Sequence, residues 1–434
     1  MKVFFDMVGC RLNQAEIDKM SLDFQTAGHT VVNKAALADM IVVNTCSVTT
    51  QAASDSRQKI RHYSSLGGKE VISTGCWTTL EPTAASQLGS GIRVIQNHQK
   101  DTLVRDILSN SKITAADPTS LEPFDRVTMP GLRQRTRSFI KVQDGCDNLC
   151  TFCITRVARG KGVSRPTDEI LSEIHNLTAN GSKEIILTGV HLGSWGQDLQ
   201  TEKHLYDLLR AILEETNVPR IRLSSLEPWD LSERFFSLWE DPRMCAHIHL
   251  PLQAGCDATL RRMLRKTTTA SFRALVSTAR AMIPNLSITT DIITGFPGES
   301  DAEFQQTSEF VQEMAFSGGH VFSYSEREGT AATKIRERVP NEVRKQRNAM
   351  LQQIIKHSAD AFERSQVGTI GKVIWEASPT RTETGWIMSG YTSNYVRVHA
   401  ASAEVRWNQI DDVELLSFDG ESLQGRIIKL LSDL

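Results

Sequence analysis

Apolar runs of strand length recur through the first part of the chain, at Val3–Phe5, Met40–Val43 and Glu70–Ser73, with helical periodicity between them at Asn13–Ala27 and Ala52–Ser64. That alternation predicts βαβ units in a parallel sheet. Residues 114–131 break the pattern with three prolines and no periodicity, the composition of a linker. A second alternation starts at Phe139, with apolar runs at Phe139–Val142, Glu184–Leu187, Ile221–Leu223, Ile248–Leu252, Ser287–Ile293 and Val321–Tyr324. Helical segments fit between them at Asp168–Thr178, His204–Glu215, Ser232–Trp239, Ser271–Ala281 and Ala302–Met314. Six β/α units predict a parallel barrel left open, since closure needs two more, and such folds carry their chemistry where the strands end.

A long helical stretch, Asn341–Ser365, then leads into short β-type runs at Gly371–Trp375, Trp386–Gly390, Tyr395–His399, Val413–Leu416 and Arg426–Lys429, separated by turn residues. These predict a small antiparallel β-barrel. The expected fold is α/β and multidomain. It comprises an N-terminal parallel α/β domain (1–113), the linker (114–131), a partial (β/α)6 barrel (132–365) and the C-terminal β-barrel (366–434).

Composition narrows the function classes. Lys+Arg 49 against Asp+Glu 51 gives a net charge of −2 over 434 residues, so binding to nucleic acid must rest on local patches. No apolar run approaches the ~18 residues of a membrane span, and the start Met1-Lys-Val-Phe-Phe-Asp6 breaks too early for a secretory signal, so a cytoplasmic protein is expected. Eight cysteines are too few for a disulfide framework in a chain this long, and in a reducing compartment grouped cysteines point to metal or redox chemistry. Cys245 and Cys256 stand apart; the other six form two sets of three.

Cys146, Cys150 and Cys153 form C-x3-C-x2-C directly after the first barrel strand. Thiolates this close serve one site. A structural zinc needs a fourth ligand, and the nearest downstream histidine, His175, lies in a helical stretch at no familiar finger spacing. Three thiolates suit a four-iron cluster with one iron left open to a substrate, and inert buried thiols are the plain alternative. Cys10, Cys46 and Cys76 look scattered, yet each ends an apolar run of the first domain, and parallel strands deliver their carboxyl ends to one sheet edge. Three thiolates should meet there, unless each is simply a small buried hydrophobe. Asn13, Gln14, Asn44 and Thr45 lie close by, either as hydrogen-bond donors to sulfur or as turn and cap residues.

The second cluster resembles that of the radical S-adenosylmethionine (SAM) enzymes, whose open iron chelates SAM and whose electron cleaves it to a 5′-deoxyadenosyl radical. The whole chain resembles the methylthiotransferases of that superfamily. The resemblance rests on Gly9-Cys-Arg-Leu-Asn-Gln-Ala-Glu16, Asn44-Thr-Cys46, Thr74-Gly-Cys76, the Cys146 cluster, His247-Ile-His-Leu-Pro-Leu-Gln253, Thr290-Asp-Ile-Ile-Thr-Gly-Phe-Pro-Gly-Glu299 and Tyr324-Ser-Glu-Arg-Glu-Gly-Thr330. It implies two 4Fe-4S clusters held by the six cysteines, SAM as methyl and radical source, and a sulfur carried on the first-domain cluster. Val142-Gln-Asp-Gly-Cys146 and Leu187-Thr-Gly-Val-His-Leu-Gly-Ser-Trp-Gly196 look most like the MtaB type, which acts on N6-threonylcarbamoyladenosine beside the anticodon of tRNA. Relatives acting on isopentenyl-adenosine in tRNA or on a ribosomal-protein aspartate are the alternatives. The chain departs from the family pattern at Ile154-Thr-Arg-Val-Ala-Arg-Gly160, without the usual Pro and Tyr, and at Gln253-Ala-Gly-Cys256.

Candidates for the SAM pocket are polar groups at strand ends: Thr188, Gly189, His191, Ser224, Ser225, Glu227, Gln253, Asp291 and Arg327, each also readable as a turn former or barrel-layer residue. Residues 132–165 carry eight basic side chains (Arg133, Arg135, Arg137, Lys141, Arg156, Arg159, Lys161, Arg165) against Asp144 and Asp147, a local +6 that reads as a tRNA approach or as a solvated face. The C-terminal segment resembles the TRAM domain, an RNA-binding barrel. Its Trp375, Trp386, Tyr391, Tyr395 and Trp407, with Arg381, Arg397 and Arg406, are candidates for base stacking or for the barrel core. An external electron donor and a sulfur donor complete the expected partners. The competing class is a non-catalytic iron–sulfur carrier with an RNA-binding tail, although a carrier would ordinarily close each cluster with a fourth cysteine.

Overall fold

The computed structural model describes residues 1–110, 136–200 and 202–428. The expected linker 114–131, Arg133, Arg135 and Lys429 lie outside the described residues. In the first domain the chain runs β1 (Lys2–Met7), α1 (Arg11–Thr26), β2 (Thr30–Val31), β3 (Met40–Thr45), α2 (Thr50–Ser64), β4 (Glu70–Gly75), α3 (Cys76–Leu80), α4 (Pro82–Ser86), β5 (Ile92–Val94) and α5 (Leu103–Asn110). The strands form one parallel sheet in the order β2-β1-β3-β4-β5. All six residues of central β3 are buried. Met40 and Val42 face one core with α1 and α5, and Ile41 and Val43 face the other with α2, the two-sided burial that makes a parallel strand read as a continuous apolar run. The two edge strands β2 and β5 were not legible, being two and three residues long.

The second domain contains β6 (Arg137–Lys141), β7 (Gln143–Asp144), α6 (Thr155–Arg159), β8 (Val163–Ser164), α7 (Thr167–Ala179), β9 (Glu184–Thr188), α8 (Leu205–Glu215), β10 (Arg220–Leu223), α9 (Glu233–Phe236), β11 (His247–His249), α10 (Asp257–Arg262), α11 (Thr269–Met282), β12 (Ser287–Thr294), α12 (Asp301–Met314), β13 (Gly318–Ser323) and α13 (Asn341–Ser365). Two parallel sheets, β10-β9-β6 and β11-β12-β13, are joined by the bridges Ile221–Met244 and Ser225–His249. The result is a six-stranded parallel arc with its helices outside, the open barrel expected.

The third domain comprises β14 (Ile370–Trp375), β15 (Thr380–Thr382), β16 (Gly385–Thr392), β17 (Arg397–Ser402), β18 (Ile410–Phe418) and β19 (Leu423–Ile427). The sheet order β14-β18-β19-β17-β16-β15 closes through a β14–β16 pairing into a five-stranded ring, with β15 added outside. One expectation is corrected: β17 and β19 pair in parallel. Five strands cannot alternate direction all the way round a closed ring, so one parallel pair is forced. The strand expected from Tyr395 starts at Arg397, because Tyr395 adopts φ +69° in the preceding turn.

This barrel docks on the amino-terminal end of the β/α arc through buried charge. Arg220 and Arg222 of β10 flank Glu184 of β9 at 2.8 and 2.9 Å and donate to the carbonyls of Thr392 and Ser393. Burial by itself would raise the Glu184 pKa, but the two guanidiniums bring it down to about 2. Arg137 pairs with Glu376 at 2.8 Å. Glu184→Gln leaves two buried guanidiniums short of one counter-charge, and about 3–5 kcal/mol of destabilisation is expected in urea unfolding; an unchanged midpoint would show that the docking does not depend on this charge.

Candidate active site

The three first-domain cysteines stand at the carboxyl ends of adjacent strands. Cys10 caps the amino end of α1 just past β1, Cys46 follows β3, and Cys76 follows β4 as the first residue of α3. Two glycines permit their approach. Gly9, at φ +109°, lies so close to Cys46 that a Cβ there would sit 2.7 Å from its Sγ. Gly75, at φ +102°, lies against the backbone of Thr45, 2.3 Å from its carbonyl oxygen to an added Cβ. The Cys46 thiol is pushed up to about 11, chiefly by burial and further by its neighbours Cys10 and Cys76. Three thiolates can share this space only around a compensating cationic centre, which is the chemistry a metal cluster supplies. Among the described residues no three His, Cys, Asp or Glu side chains converge on a single-ion site; in a four-iron cube each thiolate bonds its own iron.

Asn13, Gln14, Asn44 and Thr45 brace the loops, while Asn97, which the sequence did not mark, donates to Cys76 Sγ at 3.9 Å. Asn13 donates to the carbonyls of Val8 and Thr45, Asn44 to Asn13 and Glu16, Thr45 to Thr74, and Gln14 to Asp18.

Cys146, Cys150 and Cys153 lie, half-buried, on the loop after β6. Gln143 staples that loop: its amide donates to the carbonyls of Asp144 and Gly145 at 2.8 Å and accepts from the His191 backbone at 2.9 Å. Gly145, at φ +66°, passes tightly under the Lys161 carbonyl. The sulfurs receive N–H groups, from the Asn148 backbone to Cys146 at 3.4 Å and from Arg265 to Cys150 at 3.8 Å. Such donors suit bound thiolates.

The pocket candidates separate into groups. His191 is buried against this cluster, gripped by Asp230 at 2.5 Å and Asn148 at 3.2 Å; burial would lower its pKa, but Asp230 and Cys146 push it up to about 9. Glu227 holds Arg265 at 2.6 Å and so steadies the donor to Cys150. Thr188 is buried at the end of β9, Gly189 packs on Gln143, Ser224 is buried with no partner for its hydroxyl among the described residues, Ser225 bridges to His249, and Gln253, at φ +70°, bridges to Ile292. Asp291 lies further into the barrel between His249 and His320. Arg327 lies apart from these, donating to the Val48 carbonyl at 3.4 Å beside Cys46.

A buried charge network locks the two cysteine sites together. Glu16 of α1 takes Lys100 at 2.6 Å and Arg159 of α6 at 2.8 Å, and Arg159 also binds Asn13 and Asp144. Burial would raise the Glu16 pKa, yet Arg159, Lys100 and Lys141 hold it well below the carboxylate range. Among the described cations of the +6 segment, Arg137, Lys141, Arg159 and Arg165 pair with carboxylates, and Arg156 and Lys161 are exposed. Glu16, Lys100 and Arg265 were not singled out in the sequence, and no local signal marks them. Gly9 and Gly75 were not singled out either, although the pairs Gly9-Cys10 and Gly75-Cys76 are a local signal that could have found them.

Residues 140–311 match the Radical SAM superfamily, and residues 2–95 match a family described as Uncharacterized protein family UPF0004. The threonylcarbamoyladenosine tRNA methylthiotransferase MtaB of Thermotoga maritima is 34% identical over 91% of this chain and 90% of its own. The chain belongs to the methylthiotransferase family of radical SAM proteins. Its relatives also include the tRNA-2-methylthio-N(6)-dimethylallyladenosine synthase of Cronobacter sakazakii, 30% identical over 97% of this chain and 91% of that one. Among solved structures, the radical SAM methyltransferase TsrM of Kitasatospora setae, with cobalamin and a 4Fe-4S cluster bound, superposes with a TM-score of 0.56 at 15% identity, covering 76% of each chain, a likeness of fold.

Gly9→Ala and Gly75→Ala should each empty the first-domain site while the Cys146 site keeps its iron. Iron analysis of anaerobically reconstituted protein should therefore fall by roughly four atoms per chain; full iron in both variants would mean that the glycine approach does not shape the site.

Proposed function

We propose that this chain inserts a methylthio group at C2 of N6-threonylcarbamoyladenosine beside the anticodon of tRNA. The observation that carries this reading is the pair of three-cysteine sites, each lacking a fourth protein thiolate, in two domains locked by Glu16 and Arg159. Full-length similarity to a threonylcarbamoyladenosine enzyme supports the substrate. Cys146, Cys150 and Cys153 would hold the cluster that binds SAM, and Cys10, Cys46 and Cys76 the cluster for sulfur. When bound, these clusters supply an electron for SAM cleavage and an iron for the sulfur, chemistry beyond the reach of acid–base side chains.

The chain's own groups do the positioning. Thr188, Gly189, Ser225 and Gln253, at or near the strand ends of the barrel, are the candidate contacts to SAM. His191 and Glu227 act behind the cysteines, on Cys146 and through Arg265 on Cys150. Tyr391 and Tyr395 are stacked at 5.0 Å in the domain interface and Trp375 is fully buried, so these three rings serve packing. Trp386 and Trp407 are both half-buried; of the two, Trp386, on the β15–β16 hairpin with Arg381 over its ring at 5.8 Å, is the candidate for the RNA. The electron and the sulfur come from donors outside the chain. Among the described residues no helix is long and apolar enough to cross a membrane; acting on tRNA, the protein works in the cytoplasm.

Cluster-replete enzyme offered threonylcarbamoylated tRNA, isopentenylated tRNA and the ribosomal protein should methylthiolate the first, read by nucleoside mass spectrometry. Preference for either other substrate overturns the assignment. Replacing Cys10, Cys46 and Cys76 by Ala should abolish methylthio product yet leave SAM cleavage measurable, and sulfur insertion by that variant would refute the division of labour. Trp386→Ala should weaken tRNA binding about tenfold, within the ~1–3 kcal/mol of one base–aromatic stack, and an unchanged Kd would remove the hairpin from the interface.

A further inference from the structure

Strands β12 and β13 turn one face to the helix layer and the other to the barrel lumen. Val321 packs into the core beneath α12 and α13, so its neighbours His320 and Phe322 stand on the lumen side, both exposed. Asp291 lies opposite His320 in the strand register, held by His320 Nδ1 at 3.2 Å and His249 Nε2 at 3.3 Å. Its charge is taken up by the two rings. Arg11, the residue after Cys10, reaches the same space from α1. Its Nη2 lies 3.4 Å from the Tyr395 hydroxyl and its guanidinium 5.7 Å from that ring, which packs on His247 at 5.0 Å, and its positive charge disfavours protonation of His247 and His320. Its neighbours Arg137, Arg159 and Arg222 each have a carboxylate partner; among the described residues Arg11 has none.

A guanidinium beside a thiolate site, facing an open lumen and short of a counter-ion, is a receptor for an anion from the substrate. We infer that Arg11, with His320 beside it, binds the carboxylate of the threonylcarbamoyl group and so selects the modified base. This rests on the substrate proposed above. A threonylcarbamoyl group carries a carboxylate and a dimethylallyl group carries none, so the latter would bury Arg11 unpaired, and a site built on a charged pair rejects what cannot complete it. A tRNA backbone phosphate is the other anion of matching chemistry.

The test measures binding of anticodon stem-loop RNAs to the holoenzyme. Three are used, carrying threonylcarbamoyladenosine, its methyl ester, and dimethylallyladenosine. Wild type should prefer the free acid over the ester by about 10- to 100-fold, the ratio of a charge-assisted hydrogen bond. Arg11→Gln should bind acid and ester alike, Arg11→Lys should restore part of the preference, and His320→Gln should reduce it. All variants should keep wild-type iron. Equal loss for all three RNAs in Arg11→Gln would assign the residue to a phosphate, and loss of iron would assign it to balancing the thiolates; either overturns the inference. A wild type that modifies threonylcarbamoylated tRNA but binds acid and ester equally also overturns it and leaves the substrate reading standing. A wild type that modifies dimethylallyladenosine in preference overturns the substrate reading itself.

Discussion

Glu16 is a carboxylate with almost no access to water, and its counter-charges come from two domains. Lys100 belongs to its own domain; Arg159 and Lys141 belong to the barrel. Taking charges out of water costs several kcal/mol per ion unless each finds its partner in good geometry. The network therefore tolerates one docking arrangement of the two domains and penalises displaced ones. Arg159 sits at the end of α6, a few residues after Cys153, and Glu16 in the second turn of α1, just after Cys10. One ion cluster thus sets the distance between the two cysteine sites, and a reaction that must bring a radical and a sulfur to one carbon needs that distance held.

The opposite end of the barrel is closed by the same physics with a different cast. Glu184 between Arg220 and Arg222 carries the C-terminal domain, and Tyr395 is wedged into the barrel base with Arg222 over its ring at 4.6 Å and the His247 ring at 5.0 Å. The floor of the lumen is therefore made by a turn of the third domain. An RNA held by the exposed hairpin of that domain is held by a body rigidly tied to the lumen, which favours delivery of a single-stranded nucleotide with little added motion.

Much of this was legible from the chain. The run of strands and helices, the six-unit open barrel and the six cysteines follow from local pattern, because apolar period and turn residues act over a few positions. The Gly-Cys pairs also act locally, through the backbone angle that lets a strand end pass close to its neighbour. The basic segment 132–165 was legible as charge but not as purpose. Arg137, Lys141 and Arg159 each meet a carboxylate far away in the chain, Glu376, Asp101 and Glu16, which no local window contains, whereas Arg165 meets the nearby Glu173.

The sequence by itself determined most of the elements, that six of its cysteines fall into two sets of three, and that the chemistry is that of the radical SAM methylthiotransferases. Tertiary structure alone decided the partners of Glu16, the stacking of Tyr391 on Tyr395, the parallel β17–β19 pair, the placement of Arg327 toward Cys46 and that of Arg11 against Tyr395. The reason is one of range. Hydrophobic periodicity and turn chemistry are set by neighbours in the chain, whereas the state of a charge is set by whichever groups folding brings within a few ångströms of it once water has been removed.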